Sequence, residues 1–168
     1  IVAVVVPVEA RRDEAVAPWL LDNPQEVAGK RVLDFATGSG LVGIAAMKAG
    51  AVSALGADID PFCAAAVALN AQANGVALSF TDRDLLNAPP PPVDVICAGD
   101  VCYEAPMTER VLDWLGQARA NGTRVLIGDP GRTYFPKTGL DFLAEYRVQT
   151  TRELEDQEIK RSSVWSMA

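Results

Sequence analysis

The stretch VLDFATGSGLVG, residues 32–43, places an acid, Asp34, inside an apolar run and follows it with Gly38, Gly40 and Gly43. A strand buried in a core has little use for a carboxylate. A strand that ends against a charged ligand does. RVLDFA (31–36) predicts such a strand, and LVGIAAMKAG (41–50) predicts a short helix closed by Gly50. The connection GSGLVG (38–43) fits G-x-G-x-x-G, whose glycines let a backbone approach a ligand closely.

Outward from this unit, strand and helix signals alternate. AVSALGADID (51–60) predicts a second strand ending in acids. PFCAAAVALNAQANG (61–75) predicts a helix that starts at Pro61 and stops at Asn74-Gly75. ALSFTD (77–82) predicts a third strand, and NAPPPP (87–92) a stiff connector. VDVICAG (93–99) and TRVLIGD (123–129) predict strands buried on both faces. PMTERVLDWLGQARANG (106–122) predicts an amphipathic helix with Met107, Val111, Leu112, Leu115 and Ala118 on its inner side. A helix is expected near 138–145, then an antiparallel pair from YRVQTTREL and IKRSSVWSM. The fold expected is α/β and Rossmann-like: a mostly parallel sheet with an antiparallel terminal strand and helices on both faces. Ligands of such sheets sit at the carboxyl ends of the strands, where the winding reverses. Acids cluster at those ends: Asp34, Asp58, Asp84, Asp100 and Asp129.

The bulk numbers narrow the chemistry. A chain of 168 residues is one domain by size. With net charge −7 and 15 scattered Lys and Arg, a nucleic-acid partner is not expected. A basic partner, such as a lysine-bearing protein surface, is favoured instead. There is no histidine, so His-based triads, His metal ligands and His general bases drop out, and no metal is expected. Cys63, Cys97 and Cys102 have no zinc spacing and read as buried thiols of a reducing compartment. The opening IVAVVVPVEARR is too short to span a membrane, and its basic pair follows the apolar run. It reads as a strand or packed arm of a cytoplasmic chain with no membrane partner.

Asp58 ends the second strand 20 residues after Gly38, where an acid binds both hydroxyls of a ribose. A dinucleotide and S-adenosylmethionine both satisfy this pattern, and Asp34 separates them. A carboxylate one turn from the loop repels a pyrophosphate and attracts a ligand carrying an ammonium and a sulfonium, directly or through a water. Asp84 lies beside the adenine or caps a short turn at Leu85-Leu86. GDVCYE (99–104) faces the reacting end of such a ligand and presents Asp100, Tyr103 and Glu104. Methyl transfer needs a neutral nucleophile in line with the methyl carbon, whereas free lysine, with a pKa of about 10.4, is mostly protonated. Asp100 can orient the incoming amine or its proton. Tyr103 can line a narrow channel, and Glu104 can attract the cation. In GDPGR (128–132), Arg132 either pairs with Asp129 or faces a substrate acid.

These residues resemble those of the class I, seven-strand S-adenosylmethionine-dependent methyltransferases. VLDFATGSG resembles the family's first motif, ADIDP its ribose motif, and DVCY the D-x-x-Y motif of its lysine-targeting branch. GDVCYE, RVLIGDPGR and SSVWSM together resemble the electron transfer flavoprotein beta-subunit lysine methyltransferases, whose bacterial members are often labelled nicotinamide N-methyltransferase-like. The similarity covers about residues 20–168. It implies N-methylation of lysine side chains on that beta subunit by S-adenosylmethionine, with S-adenosylhomocysteine as product. By position, Asp34, Ala36, Thr37, Gly38, Gly40, Asp58 and Ile59 hold the cofactor, with Asp84 and Leu85 near adenine. Asp100 and Tyr103 form the catalytic target-lysine motif, and Glu104 and Arg132 lie on the substrate side. Residues 31–168 then form the methyltransferase domain. Residues 1–30 form an N-terminal arm expected to be shortened or interrupted between Trp19 and Leu20, because DEAVAPW runs straight into LLDNP. The alternatives are a small-molecule N-methyltransferase, a ribosomal-protein lysine methyltransferase, and a methyltransferase-like binding scaffold. An NAD-dependent oxidoreductase is disfavoured by Asp34 and by the lack of a histidine relay. The oligomeric state stays open.

Overall fold

At the centre of the sheet lies β1 (Arg31–Phe35), flanked by the parallel strands β2 (Ser53–Ala57) and β4 (Val95–Gly99). The computed structural model describes residues 15–151 and 157–168, without the side chains of 148–151 and 157–160. Outside β2 runs β3 (Ser79–Thr81), and outside β4 runs β5 (Arg124–Asp129), both parallel to their neighbours. The antiparallel β7 (Gln157–Met167) pairs with β5, and β6 (Leu140–Thr151) pairs with β7 at the edge. Among the described residues the order is therefore β3-β2-β1-β4-β5-β7-β6. This is the mostly parallel seven-strand sheet with an antiparallel terminal strand that the alternation predicts.

The central strands are apolar through their middles, Asp34 apart, because both faces are covered. One face carries α1 (Val16–Asp22), α2 (Leu41–Lys48) and α3 (Cys63–Ala73) over Val32, Ala54, Val95, Cys97 and Leu126. The other carries α4 (Ala105–Ala120) over Leu33, Ile96, Ala98, Val125 and Ile127. Each fully buried Val, Leu or Ile among them contributes about 1.5–3 kcal/mol from apolar area. Helix α1 runs unbroken through Trp19 and Leu20 and buries both in the core shared with α2. It ends where Asn23 Nδ2 donates to Trp19 O at 2.9 Å. Tyr146 Oη on β6 donates to Asp22 Oδ2 at 3.0 Å and fastens the helix to the sheet edge. At the opposite end of the sheet, Arg31 clasps Asp94 through Nε and Nη2, each at 3.1 Å, and so ties β1 to β4. This contact lowers the Asp94 carboxyl to a pKa of about 2. The reading of residues 1–8 as a strand or arm falls outside the described residues.

Two expectations are corrected. The helix expected near 138–145 is strand instead, the first half of β6. Its register slips between Phe142 and Ala144, a β-bulge that adds Leu143 to one strand. Phe142 therefore faces Trp165, while Ala144 faces Val164 across the sheet. The slip breaks the two-residue period inside the strand, so its first half mimics a helical pattern. On α4, Met107 and Leu112 are only partly buried. The residues buried with Val111, Leu115 and Ala118 are Thr108 and Trp114. Trp114 stacks on Phe35, with centroids 5.2 Å apart and planes tilted 31°. Its Nε1 donates to Ala88 O at 2.9 Å and fixes the proline connector to the helix.

Trp114 is the anchor of the α4 face. Replacing it by alanine is expected to lower stability in urea by about 3–5 kcal/mol, through the lost area and the cavity left behind. The Trp114→Phe variant keeps most of the packing but strands the Ala88 carbonyl. It should cost about 1–3 kcal/mol.

Candidate active site

The chain leaves β1 through a turn with positive φ at Ala36 (57°) and Gly38 (53°) and reaches α2 through Gly40 (83°). This left-handed backbone is what the glycines permit. Gly40 N donates to Thr37 O at 2.9 Å and closes the turn. Three side chains hold it in place. The carboxylate of Asp34 accepts from Thr37 Oγ1 at 2.5 Å and from Gly43 N at 2.8 Å, both on Oδ2. Asp58, at the end of β2, accepts from Gly38 N at 2.9 Å on Oδ2 and from Asp60 N at 3.0 Å on Oδ1. Asn70 on α3 donates Nδ2 to Ser39 O at 2.9 Å, while its buried Oδ1 has no partner. Asn70 is missing from the sequence reading. The available signal was a polar amide at a buried position of an otherwise apolar helix.

Above this turn, at the carboxyl ends of β1, β2 and β4, lies a cleft of about 360 Å³. It sits between β1 and β4, where the strand order reverses. Among the residues picked out from sequence, Ala36, Asp58, Ile59, Asp84, Leu85, Asp100 and Tyr103 line it. Asp34, Thr37, Gly38 and Gly40 do not line it. A larger hollow of about 700 Å³ lies at the other end of the sheet, between Lys30, Pro90–Pro92 and Asn121–Arg124. Its carboxylate, Asp94, is already engaged by Arg31, and binding in open α/β sheets takes place at the opposite, carboxyl end.

Asp34 is placed differently from the electrostatic expectation. Only 1% of it is exposed, and it lies beneath the loop, not on the cleft wall. The role its geometry supports is to fasten the glycine turn to the first turn of α2. Burial raises its carboxyl to a pKa of about 6, against the opposing hydrogen bonds from Thr37 and Gly43. Asp84 caps the short 3-10 helix Leu85–Asn87, accepting from Leu86 N at 3.0 Å, and also stands on the cleft wall.

The far wall of the cleft is the D-x-x-Y loop. Asp100 has a φ of 50° and donates its N–H to Gly128 O at 2.9 Å. Tyr103 is 58% exposed at the rim. Glu104 precedes α4 at its N-cap position, outside the cleft wall. The pairing of Arg132 with Asp129 does not form. Asp129 Oδ2 is taken up by its own turn, accepting from Gly131 N at 2.7 Å and Arg132 N at 3.0 Å. Arg132 instead grips Asp100, with Nε on Oδ1 and Nη2 on Oδ2, both at 2.6 Å. Cys63 and Cys102 are buried as expected, and burial pushes both thiols up to a pKa of about 11, which keeps them protonated at neutral pH.

The raised pKa of Asp34 has a signed consequence. Its folded pKa lies above the unfolded value, so its contribution to stability is complete below about pH 3.8 and is lost as pH rises through about 6. The Asp34→Asn variant should therefore gain on the parent by about 3 kcal/mol between pH 3.8 and pH 7. Urea midpoints of both proteins across that range would show it, whatever constant offset the substitution adds.

Comparison with known proteins agrees with this architecture. A family model described as ribosomal protein L11 methyltransferase (PrmA) matches residues 19–101. The chain is 39% identical over 159 residues to the electron transfer flavoprotein beta subunit lysine methyltransferase of Xenopus laevis, covering 91% of this chain and 65% of that protein. The Rattus norvegicus protein of the same name is 36% identical over 158 residues, with 90% and 62% covered. The chain thus spans a little under two thirds of the length of these relatives. Among solved structures, magnesium protoporphyrin IX methyltransferase from Synechocystis with bound SAH superposes with a TM-score of 0.63. It is 18% identical and covers 92% of this chain and 77% of its own. The chain has the fold of these methyltransferases and is similar over nine-tenths of its length to the electron transfer flavoprotein beta subunit lysine methyltransferases.

Proposed function

We propose that the protein is a lysine N-methyltransferase that uses S-adenosylmethionine and acts on the beta subunit of an electron transfer flavoprotein. The observation that carries the reading is a single cleft with the ribose-type acid Asp58 on one wall and Asp100 and Tyr103 on the other. The relatives named above supply the substrate class.

The residues present suit the cofactor. Both Asp58 oxygens already accept a backbone N–H, yet a carboxylate has about four lone-pair sites, which leaves room for a ribose diol. Ile59 is 65% exposed on the cleft wall, an apolar surface suited to cover by a flat ring. Leu85 adds a second apolar wall residue. When bound, S-adenosylmethionine supplies a methyl group activated on sulfur, which passes to nitrogen as its bonding pair leaves with the sulfur. The protein's task is then to deliver a neutral amine along that line. Asp100 orients the incoming amine by accepting a hydrogen bond from it. Tyr103, with its ring at the rim, narrows the approach. Glu104, outside the cleft wall, adds negative charge where a basic protein surface arrives.

The match to the L11 methyltransferase family ends at Val101, so it spans the cofactor half and stops before Tyr103.

Calorimetry with S-adenosylhomocysteine and transfer of labelled methyl groups to the purified beta subunit test the two halves separately. Asp58→Ala is expected to weaken S-adenosylhomocysteine binding by about 10- to 100-fold. Asp100→Ala should leave that affinity within about twofold and reduce methyl transfer by about 100-fold. Transfer by Asp100→Ala at the parental rate would remove Asp100 from the mechanism.

A further inference from the structure

The grip of Arg132 on Asp100 is built into the fold. Arg132 sits in a turn folded around the Asp129 carboxylate. The turn is also braced from β7, where Ser163 Oγ donates to Asp129 O at 3.2 Å and accepts from Trp165 Nε1 at 2.8 Å. A guanidinium that meets both oxygens of a carboxylate makes a planar, bidentate pair that a lysine cannot reproduce. Both partners are nearly half exposed, at 45% and 44% of their side chains, and such a pair adds only about 0–1 kcal/mol to stability. Its place on the acceptor side of the cleft therefore points to function.

The surroundings define what the pair does. Asp129 faces Asp100 from the end of β5, and the Cys102 thiol faces it from the same loop. Asp58 at the end of β2, Arg83 and Asp84 after β3, and Tyr103 share its cleft, while Glu104 starts α4 beside the loop. Without Arg132 this wall is dominated by acids. An ammonium beside unpaired carboxylates holds its proton more tightly, by about 1–3 pH units, and a protonated amine has no lone pair to give. A carboxylate engaged by a guanidinium keeps outer lone pairs for an oriented hydrogen bond while most of its charge is cancelled.

We propose that Arg132 is a positioning residue for methyl transfer: by holding both oxygens of Asp100, it makes that carboxylate an oriented hydrogen-bond acceptor of reduced charge, so that a lysine bound there gives its proton to solvent water and keeps the neutral amine whose lone pair takes the methyl group. This rests on the lysine-methyltransferase reading above. The test measures methyl transfer to the purified electron transfer flavoprotein beta subunit at saturating S-adenosylmethionine, from pH 6.5 to 10, for the parent, Arg132→Ala and Arg132→Lys. In Arg132→Ala the acidic limb of kcat should move up by about one pH unit, a loss of about tenfold at pH 7 that is recovered near pH 9, with KM not raised. Arg132→Lys keeps the charge and should fall between the two. S-adenosylhomocysteine affinity, read by calorimetry, should be the same in all three. A kcat lowered by one factor at every pH would overturn the proposal and make the pair structural. A raised KM with an unmoved limb would overturn it in favour of direct substrate binding by Arg132. If the parent binds S-adenosylhomocysteine but methylates no lysine of the beta subunit, the underlying reading falls, and this inference with it.

Discussion

A buried carboxylate holds the cleft together. Asp34 stands inside the sheet and accepts from the Thr37 hydroxyl and the Gly43 amide on one oxygen. Burial of a charge costs energy unless hydrogen bonds answer it, and here they also join the end of β1 to the start of α2. The residues between them must then turn sharply, which sets the left-handed backbone at Ala36, Gly38 and Gly40. That turn places the Gly38 amide on Asp58, and Asp58 in turn reaches the amide of Asp60 at the approach to α3. One acid at the bottom of the loop thus fixes where the acid at its top presents itself to the cleft.

The opposite wall follows the same logic with other residues. Asp129 spends one carboxylate oxygen on two backbone amides and so shapes the turn after β5. The turn delivers Arg132 to Asp100, whose own backbone is held left-handed and bonded to Gly128. Each wall therefore has one acid that builds the backbone beside acids that face the cleft. The building acids, Asp34 and Asp129, are nearly inaccessible, and burial raises both their carboxyls. The cleft acids Asp58 and Asp100 stay open to solvent or ligand. Under the proposed function this division has a use, since a cofactor and a basic acceptor need separate anionic contacts on facing walls.

Much of this was legible in the chain itself. The alternation of apolar strands with capped helices gave the sheet, because parallel strands covered on both faces must be apolar throughout. The acids at five strand ends marked the binding edge, although only Asp58, Asp84 and Asp100 of them face the cleft. Less legible were Trp114 and Asn70, whose importance lies in partners 26 and 31 residues away. The first half of β6 was hidden by its bulge, which spoils the period that a strand would otherwise declare.

By itself the sequence determined the layer order, the glycine turn and the chemical type of residue at each strand end, since these depend on local periodicity and on which backbone angles a residue tolerates. It left undecided which of the acids face ligand and which face core. It also left open whether Arg132 would pair with Asp129 or face a substrate acid, and its actual partner, Asp100, lies 32 residues away. Only the tertiary structure decided these. A carboxylate's partner is whichever donor the neighbouring strand and turn bring within about 3 Å, and that proximity is a property of register and packing, not of spacing along the chain.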